Sequence, residues 1–163
     1  YKIFISVMID SNVIKHLMSE KIILTVIDSQ NSINFDLEYI KSKVHGAFQL
    51  CLRKSKESAP LKELNSIEIS IIDDKQIAKV HGEFMNDPSP TDVITFDYGE
   101  ILVSAETALS NSEEMQVSLE NEILLYIIHG MLHLGGYLDG SNAEFKEMKS
   151  LQEMILDSCL QVS

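Results

Sequence analysis

The chain has 163 residues, 45% of them hydrophobic, and a formal net charge of −12. That length suits one domain with a sizeable core, and no apolar run nears the 18 or more residues that a membrane-spanning helix needs. The acidity argues against tight non-specific binding to nucleic acid, and two distant cysteines, Cys51 and Cys159, rule against a disulfide framework or a thiolate zinc site and suit small core positions.

The opening stretch Tyr1–Met8 is apolar but short and lacks a clean small-residue cleavage site, so cytoplasmic placement is expected. Ser11–Ser19 can form a helix, but residues 1–20 as a whole remain an unplaced N-terminal segment. Lys21–Asp28 reads as a first strand, rich in β-branched residues. Asp36–Ser55 has Leu37, Ile40, Val44, Phe48 and Cys51 at helical spacing. Ser66–Asp73 alternates apolar and polar residues as a half-buried strand does, and Asp73 or Asp74 can cap the next helix, Lys75–Met85. Pro88 and Pro90 stop that helix. Asp92–Tyr98 and Glu100–Ala105 then form two strands joined around Gly99 as a hairpin. A short helix is expected near Glu106–Asn111, a longer one over Leu119–Leu134, and a last one from Asn142 to about Cys159 that buries Phe145, Met148, Leu151 and Ile155. This order predicts a single α/β (α+β) domain over residues 21–163, a mixed and mostly four-stranded sheet covered by helices.

The charge is uneven along this order. Residues 1–62 hold nine Lys and Arg against six Asp and Glu, a net of +3, whereas residues 63–163 hold four against nineteen, a net of −15. Six basic residues, Lys41, Lys43, Arg53, Lys54, Lys56 and Lys62, fall within 22 positions. Such a patch beside an acidic body can steer a phosphate backbone; it equally suits the solvated face of an amphipathic helix. Lys41, Lys43, Arg53 and Lys54 are the candidates for RNA backbone contacts. The sequence displays no aromatic stacking platform to go with them.

The strongest chemical signal is His129-Gly130-Met131-Leu132-His133-Leu134-Gly135-Gly136-Tyr137-Leu138-Asp139. Two histidines four apart share one helix face, about 40° apart at roughly 100° per residue. The apolar run before them supplies a rigid helix, and the double glycine can end it in a left-handed turn. Asp139 can then return to the same ion, although an Asp before Gly140 also suits a plain turn. Two imidazoles, one carboxylate and an open fourth position describe a catalytic zinc site, one Zn2+ per chain, on a zincin-like helix. Asp92 and Glu100 can orient a ligand imidazole, and Asp92 equally suits a turn or cap within Pro-Thr-Asp.

From about Lys21 to Cys159 the chain resembles the YbeY family, the bacterial rRNA maturation factors. The likeness is carried by Pro90-Thr91-Asp92-Val93-Ile94-Thr95-Phe96, by His129-Gly130-x-Leu132-His133-Leu134-x-Gly136-Tyr137, and by Met148 and Ile71-Ile72-Asp73-Asp74 in matching order. The resemblance implies a zinc-dependent, single-strand-specific endoribonuclease acting on ribosomal RNA. It further implies the small ribosomal subunit as partner, with roles in small-subunit rRNA 3′-end maturation and ribosome quality control. Two positions depart from the family: Asp139 stands where a third histidine is usual, and Met85 where an arginine would hold phosphate, with Asp87-Pro88 replacing a lysine-acid pair. Zinc accepts a carboxylate at about 2.0–2.2 Å, but a carboxylate neutralises one metal charge and makes bound water less acidic. Losing the guanidinium removes a charge-assisted fork onto phosphate.

Two rival readings differ in class. The spacing His-x-x-x-His-x-x-Gly-x-x-Asp is that of a metzincin-type protease, which needs a general-base Glu after the first His; here Gly130 stands there. The other is a non-enzymatic ribosome assembly factor, favoured by Met85.

Overall fold

A computed structural model describes residues 22–161. The expectations for residues 1–20 lie outside the described residues. Four strands and five α-helices follow in the order β1 (Ile23–Asp28), α1 (Leu37–Lys54), β2 (Ser66–Ile72), α2 (Asp74–Met85), β3 (Val93–Phe96), β4 (Glu100–Ser104), α3 (Ala105–Met115), α4 (Leu119–Leu134) and α5 (Asn142–Gln161). A single 3₁₀ turn, Pro60–Lys62, precedes β2. The sheet runs β1-β2-β4-β3, parallel except for the antiparallel β3–β4 hairpin at one edge. This is the α+β mixed sheet that the sequence predicts.

Strand alternation divides the molecule into two layers of unequal weight. Ile67, Ile69 and Ile71 of β2 and Ile101 and Val103 of β4 face the main core, where they meet α1, α4 and α5. The opposite face carries a smaller cluster, Ile72, Ile77 and Leu102, closed by α2 and by Ile94 and Phe96 of β3. Helix α4 is central to the main core; Ile123, Leu124, Ile127, Ile128, Met131 and Leu132 are all fully buried. At roughly 25 cal/mol per Å² of apolar surface removed from water, side chains of this kind each contribute about 1.5–3 kcal/mol. His129 and His133 therefore stand on an element held by its whole buried face.

Polar residues terminate the helices that this packing stabilises. Asp36 accepts the Tyr39 amide at 2.9 Å ahead of α1, and Asp73 forms a reciprocal capping box with Gln76 ahead of α2. Helix α2 ends at Asn86, which takes the left-handed conformation at φ 58°, two residues before Pro88 can intervene. Gly99 closes the β3–β4 turn at φ +102°, where a β-carbon would fall 2.6 Å from the Ser66 carbonyl oxygen. Only glycine fits that junction of hairpin and β2.

Helix α3 is longer than its expected Glu106–Asn111, running on to Met115 before Gln116 caps it in the left-handed region. Phe145 corrects a second expectation. It is 55% exposed, whereas Met148 and Ile155 of the same helix are buried. The first turn of α5 overhangs a cleft rather than the core.

No helix among the described residues is long and apolar enough to cross a membrane. Cys51 and Cys159 are free and buried, as expected of core positions.

Candidate metal centre and cleft

His129 and His133 project from the last two turns of α4 with their side chains 20% and 28% exposed. Their rings lie 4.6 Å apart at 82°, and their Nε2 atoms are 2.9 Å apart. The helix then stops in a Schellman turn. The Gly136 amide donates to the His133 carbonyl at 2.9 Å and the Tyr137 amide to the Leu132 carbonyl at 3.0 Å, with Gly136 left-handed at φ +87°. This reversal has two consequences. It puts the Tyr137 carbonyl oxygen 3.0 Å from His133 Nδ1, and it brings Asp139 back over the pair, with Oδ2 3.4 Å from His129 Nε2 and 3.7 Å from His133 Nε2.

Hydrogen bonding decides which nitrogens face inward. A carbonyl only accepts, so His133 Nδ1 carries the proton towards Tyr137. His129 Nδ1 lies 2.8 Å from Oε1 of Gln152 on α5 and donates to it in the same way. With Nδ1 protonated in each neutral tautomer, the Nε2 lone pairs turn towards each other and towards a carboxylate. Three acceptors in a triangle of 2.9, 3.4 and 3.7 Å repel one another unless a cation joins them. Tetrahedral zinc with ligand bonds of about 2.0–2.2 Å spaces its ligands about 3.3–3.6 Å apart; the donor set has the chemistry for such an ion, and the 2.9 Å imidazole separation would widen and the 3.7 Å carboxylate one close slightly around it. Burial, reinforced by the neighbouring His129, pushes the His133 pKa down, against the opposing pull of the Tyr137 carbonyl, Asp139 and Asp92. That favours the neutral imidazole a metal requires.

The triangle opens into a cleft of about 610 Å³ bounded by α4, the edge strand β3, the end of α2 and the start of α5. Asp92, Asp97 and Asp139 supply carboxylates to its wall, and among the described residues no Lys or Arg lines it. Met85 lines it too and is 69% exposed, in the place where the resemblance leads one to expect an arginine. Asp92 bonds neither imidazole. Its Oδ1 accepts from Thr91 Oγ1 at 3.1 Å and from the Val93 amide at 2.8 Å, which shapes the entry to β3. Glu100 accepts from the Tyr98 hydroxyl at 2.5 Å, outside the cleft. The groups that orient the imidazoles are therefore Gln152 and the Tyr137 carbonyl, neither of which the sequence reading singles out.

The four basic candidates sit on α1. Lys41 pairs with Glu38 at 2.8 Å, and the Lys43 ammonium lies 5.8 Å from the Tyr39 ring centre. Arg53 and Lys54 occupy the last turn, where cations suit the helix dipole. None of the four lines the cleft. Lys54 comes nearest by linkage, because its carbonyl accepts the Tyr137 hydroxyl at 2.6 Å while Lys56 lies 4.8 Å above the Tyr137 ring.

An aromatic platform, by contrast, is present. Phe84 meets Phe96 edge-on at 5.0 Å, and Phe96 stacks on Tyr98 at 5.3 Å. Phe84 and Tyr98 are 65% and 66% exposed, and none of the three rings lines the cleft. Its members come from α2 and the hairpin, so no single stretch of sequence displays it.

Gly130 faces the sheet rather than the cleft. A β-carbon there would press on Thr95 and Ile101. The position after the first histidine thus has no room for the general-base side chain that a metzincin-type protease uses.

Taken together, the mixed sheet, the His-x-x-x-His helix closed by a glycine turn, and the returning carboxylate define an α+β domain whose His129, His133 and Asp139 form a group that could hold a metal ion. Its family model is that of endoribonuclease YbeY, which matches residues 25–160. The chain belongs to the YbeY endoribonuclease family. It is 37% identical over 101 residues to endoribonuclease YbeY of Flavobacterium johnsoniae, covering 56% of this chain and 73% of that one. Against the Protochlamydia amoebophila endoribonuclease YbeY it is 30% identical over 142 residues, 80% of this chain and 89% of the relative. The solution structure of TM1509 from Thermotoga maritima shares the fold at a TM-score of 0.51 and 22% identity, covering 83% of this chain and 91% of that one.

Proposed function

We propose that this protein is a zinc-dependent endoribonuclease that cuts single-stranded RNA. Its substrate in this reading is ribosomal RNA at the 3′ end of the small-subunit species, in the cytoplasm, with the small ribosomal subunit as partner. Family membership supports the nuclease chemistry, and one observation carries the metal dependence: two lone-pair nitrogens and a carboxylate oxygen converge within 2.9–3.7 Å at the foot of an open cleft.

His129, His133 and Asp139 hold the ion. When bound, zinc polarises a phosphoryl oxygen and lowers the pKa of water. The chain supplies the rest. Asp92 lines the same cleft with Oδ1 occupied by Thr91 and Val93, leaving Oδ2 as the atom that takes a proton from the attacking hydroxyl. Electrostatics make the ion necessary for binding as well as for chemistry. Three carboxylates without a lysine or arginine repel phosphate, and a divalent cation reverses that locally. The exposed rings of Phe84 and Tyr98 offer faces to unpaired bases, a surface that a duplex cannot use. The α1 basic residues, Lys41, Lys43, Arg53 and Lys54, act as accessory phosphate contacts outside the cleft.

A non-enzymatic assembly factor is the second reading, and the exposed Met85 in a cleft wall free of lysine and arginine favours it. Incubation with single-stranded and duplex RNA of one sequence separates the two. Cleavage confined to the single strand, abolished by chelator and restored by zinc, is expected. Zinc-loaded protein that binds RNA without cutting it selects the assembly factor.

A further inference from the structure

We propose that Gln152 is the positioning residue for His129, its carboxamide oxygen holding Nδ1–H so that Nε2 stays aimed into the ligand triangle. The inference rests on the metal-centre reading and adds to it a residue from the last helix.

The two imidazoles are secured by different means. His133 is held by the Tyr137 carbonyl, three residues beyond its own helix, and the Schellman turn fixes that carbonyl whatever α5 does. His129 has no such support from α4. Among the described residues its outer nitrogen meets only Gln152, 2.8 Å away across the α4–α5 interface. Without that contact the ring can rotate about its last torsion, whose energy profile is broad and roughly two-fold.

The placing of Gln152 on α5 suits this purpose. It stands four residues after buried Met148 and three before buried Ile155, so it lies on the inner side of α5. There it is half-buried at the cleft edge. Its bond to His129 is the side chain's one hydrogen bond among the described residues. A carboxamide also orients the ring without adding charge. Asp139 already gives the site one negative ligand, and a carboxylate at 152 would raise imidazole basicity and tighten the metal.

The test uses full-length Gln152→Leu and Gln152→Glu beside wild type. Zinc affinity is read by competition with a chromophoric chelator. The His129 Nδ1 proton is followed by NMR in the zinc-loaded proteins. Loss of an outer partner typically weakens metal about 10–100-fold, and Gln152→Leu is expected to do so and to lose the exchange-protected Nδ1 proton. Gln152→Glu is expected to bind at least as tightly as wild type and to keep that proton, whereas a merely space-filling role would let Gln152→Leu do the same. Zinc affinity of Gln152→Leu within about twofold of wild type overturns the assignment while leaving the metal centre intact. Equal damage in both variants also overturns it, because the isosteric carboxylate retains the acceptor. A wild type that takes no zinc overturns the metal-centre reading itself and this assignment with it.

Discussion

A β-carbon at Gly130 would lie 2.8 Å from Oγ1 of Thr95, closer than such atoms approach, and 2.9 Å from Cγ2 of Ile101. The missing side chain therefore lets the metal helix seat directly on the β3–β4 hairpin. Gly130→Ala gains up to about 1 kcal/mol of helix propensity but meets an overpacking cost of about 1–3 kcal/mol. The neighbour it presses on is the Thr95 hydroxyl, buried with no hydrogen-bond partner among the described residues. Net destabilisation is expected, seen as a lower urea midpoint at unchanged slope. An unchanged or higher midpoint would contradict this close seating.

Glu122 stands two turns before His129 on α4 and is only 8% exposed. Burial pushes its pKa up; the Tyr126 hydroxyl opposes this and the Asp92 charge adds to it. An acid whose folded pKa is raised gains nothing below its unfolded value, about 4.3. It then costs stability increasingly as pH rises to and through the folded value, because the charged form is the one disfavoured by folding. Glu122→Gln is thus expected to match wild type in stability near pH 4 and to exceed it at pH 7. Thermal melts across that range check the sign, and a gain that shrinks with rising pH would refute it.

Asp139→His keeps three donors around the triangle and removes one negative charge. Zinc is expected to remain bound, and the pH limb for RNA cleavage to move down as bound water becomes more acidic. Abolished zinc binding would show that the returning loop cannot present an imidazole there.

Stacking on Phe84 and Tyr98 is testable apart from chemistry, since both rings are mostly exposed and contribute little to the core. Base–aromatic stacking is worth about 1–3 kcal/mol per base. Phe84→Ala with Tyr98→Ala is therefore expected to weaken single-stranded RNA binding at least about fivefold without altering zinc content. Fluorescence anisotropy measures it, and unchanged affinity would remove the platform from the substrate path.

Periodicity made most of this fold legible before any coordinates. Alternating isoleucines marked β2, and Ile40, Val44, Phe48 and Cys51 marked the inner face of α1, all four buried. The histidine pair and the glycine turn were equally plain, because their spacing alone dictates a shared face and a reversal. What escaped were relationships between elements. Helical spacing put Phe145 in the core, but the face it occupies is uncovered where α5 crosses the cleft mouth. Gln152 carries no signal in sequence, since its role exists only once α5 packs on α4. The basic residues of α1 read as one patch by proximity in the chain, whereas the cleft is lined from α2, β3, α4 and α5 and none of the four reaches it.

The central claim is that His129, His133 and Asp139 hold one zinc ion, and element analysis of purified wild type and His133→Ala after zinc loading and desalting tests it most directly. The expected result is one zinc per wild-type chain and essentially none in the variant, with circular dichroism showing the fold retained. Stoichiometric zinc in His133→Ala, or none in the wild type, would contradict it.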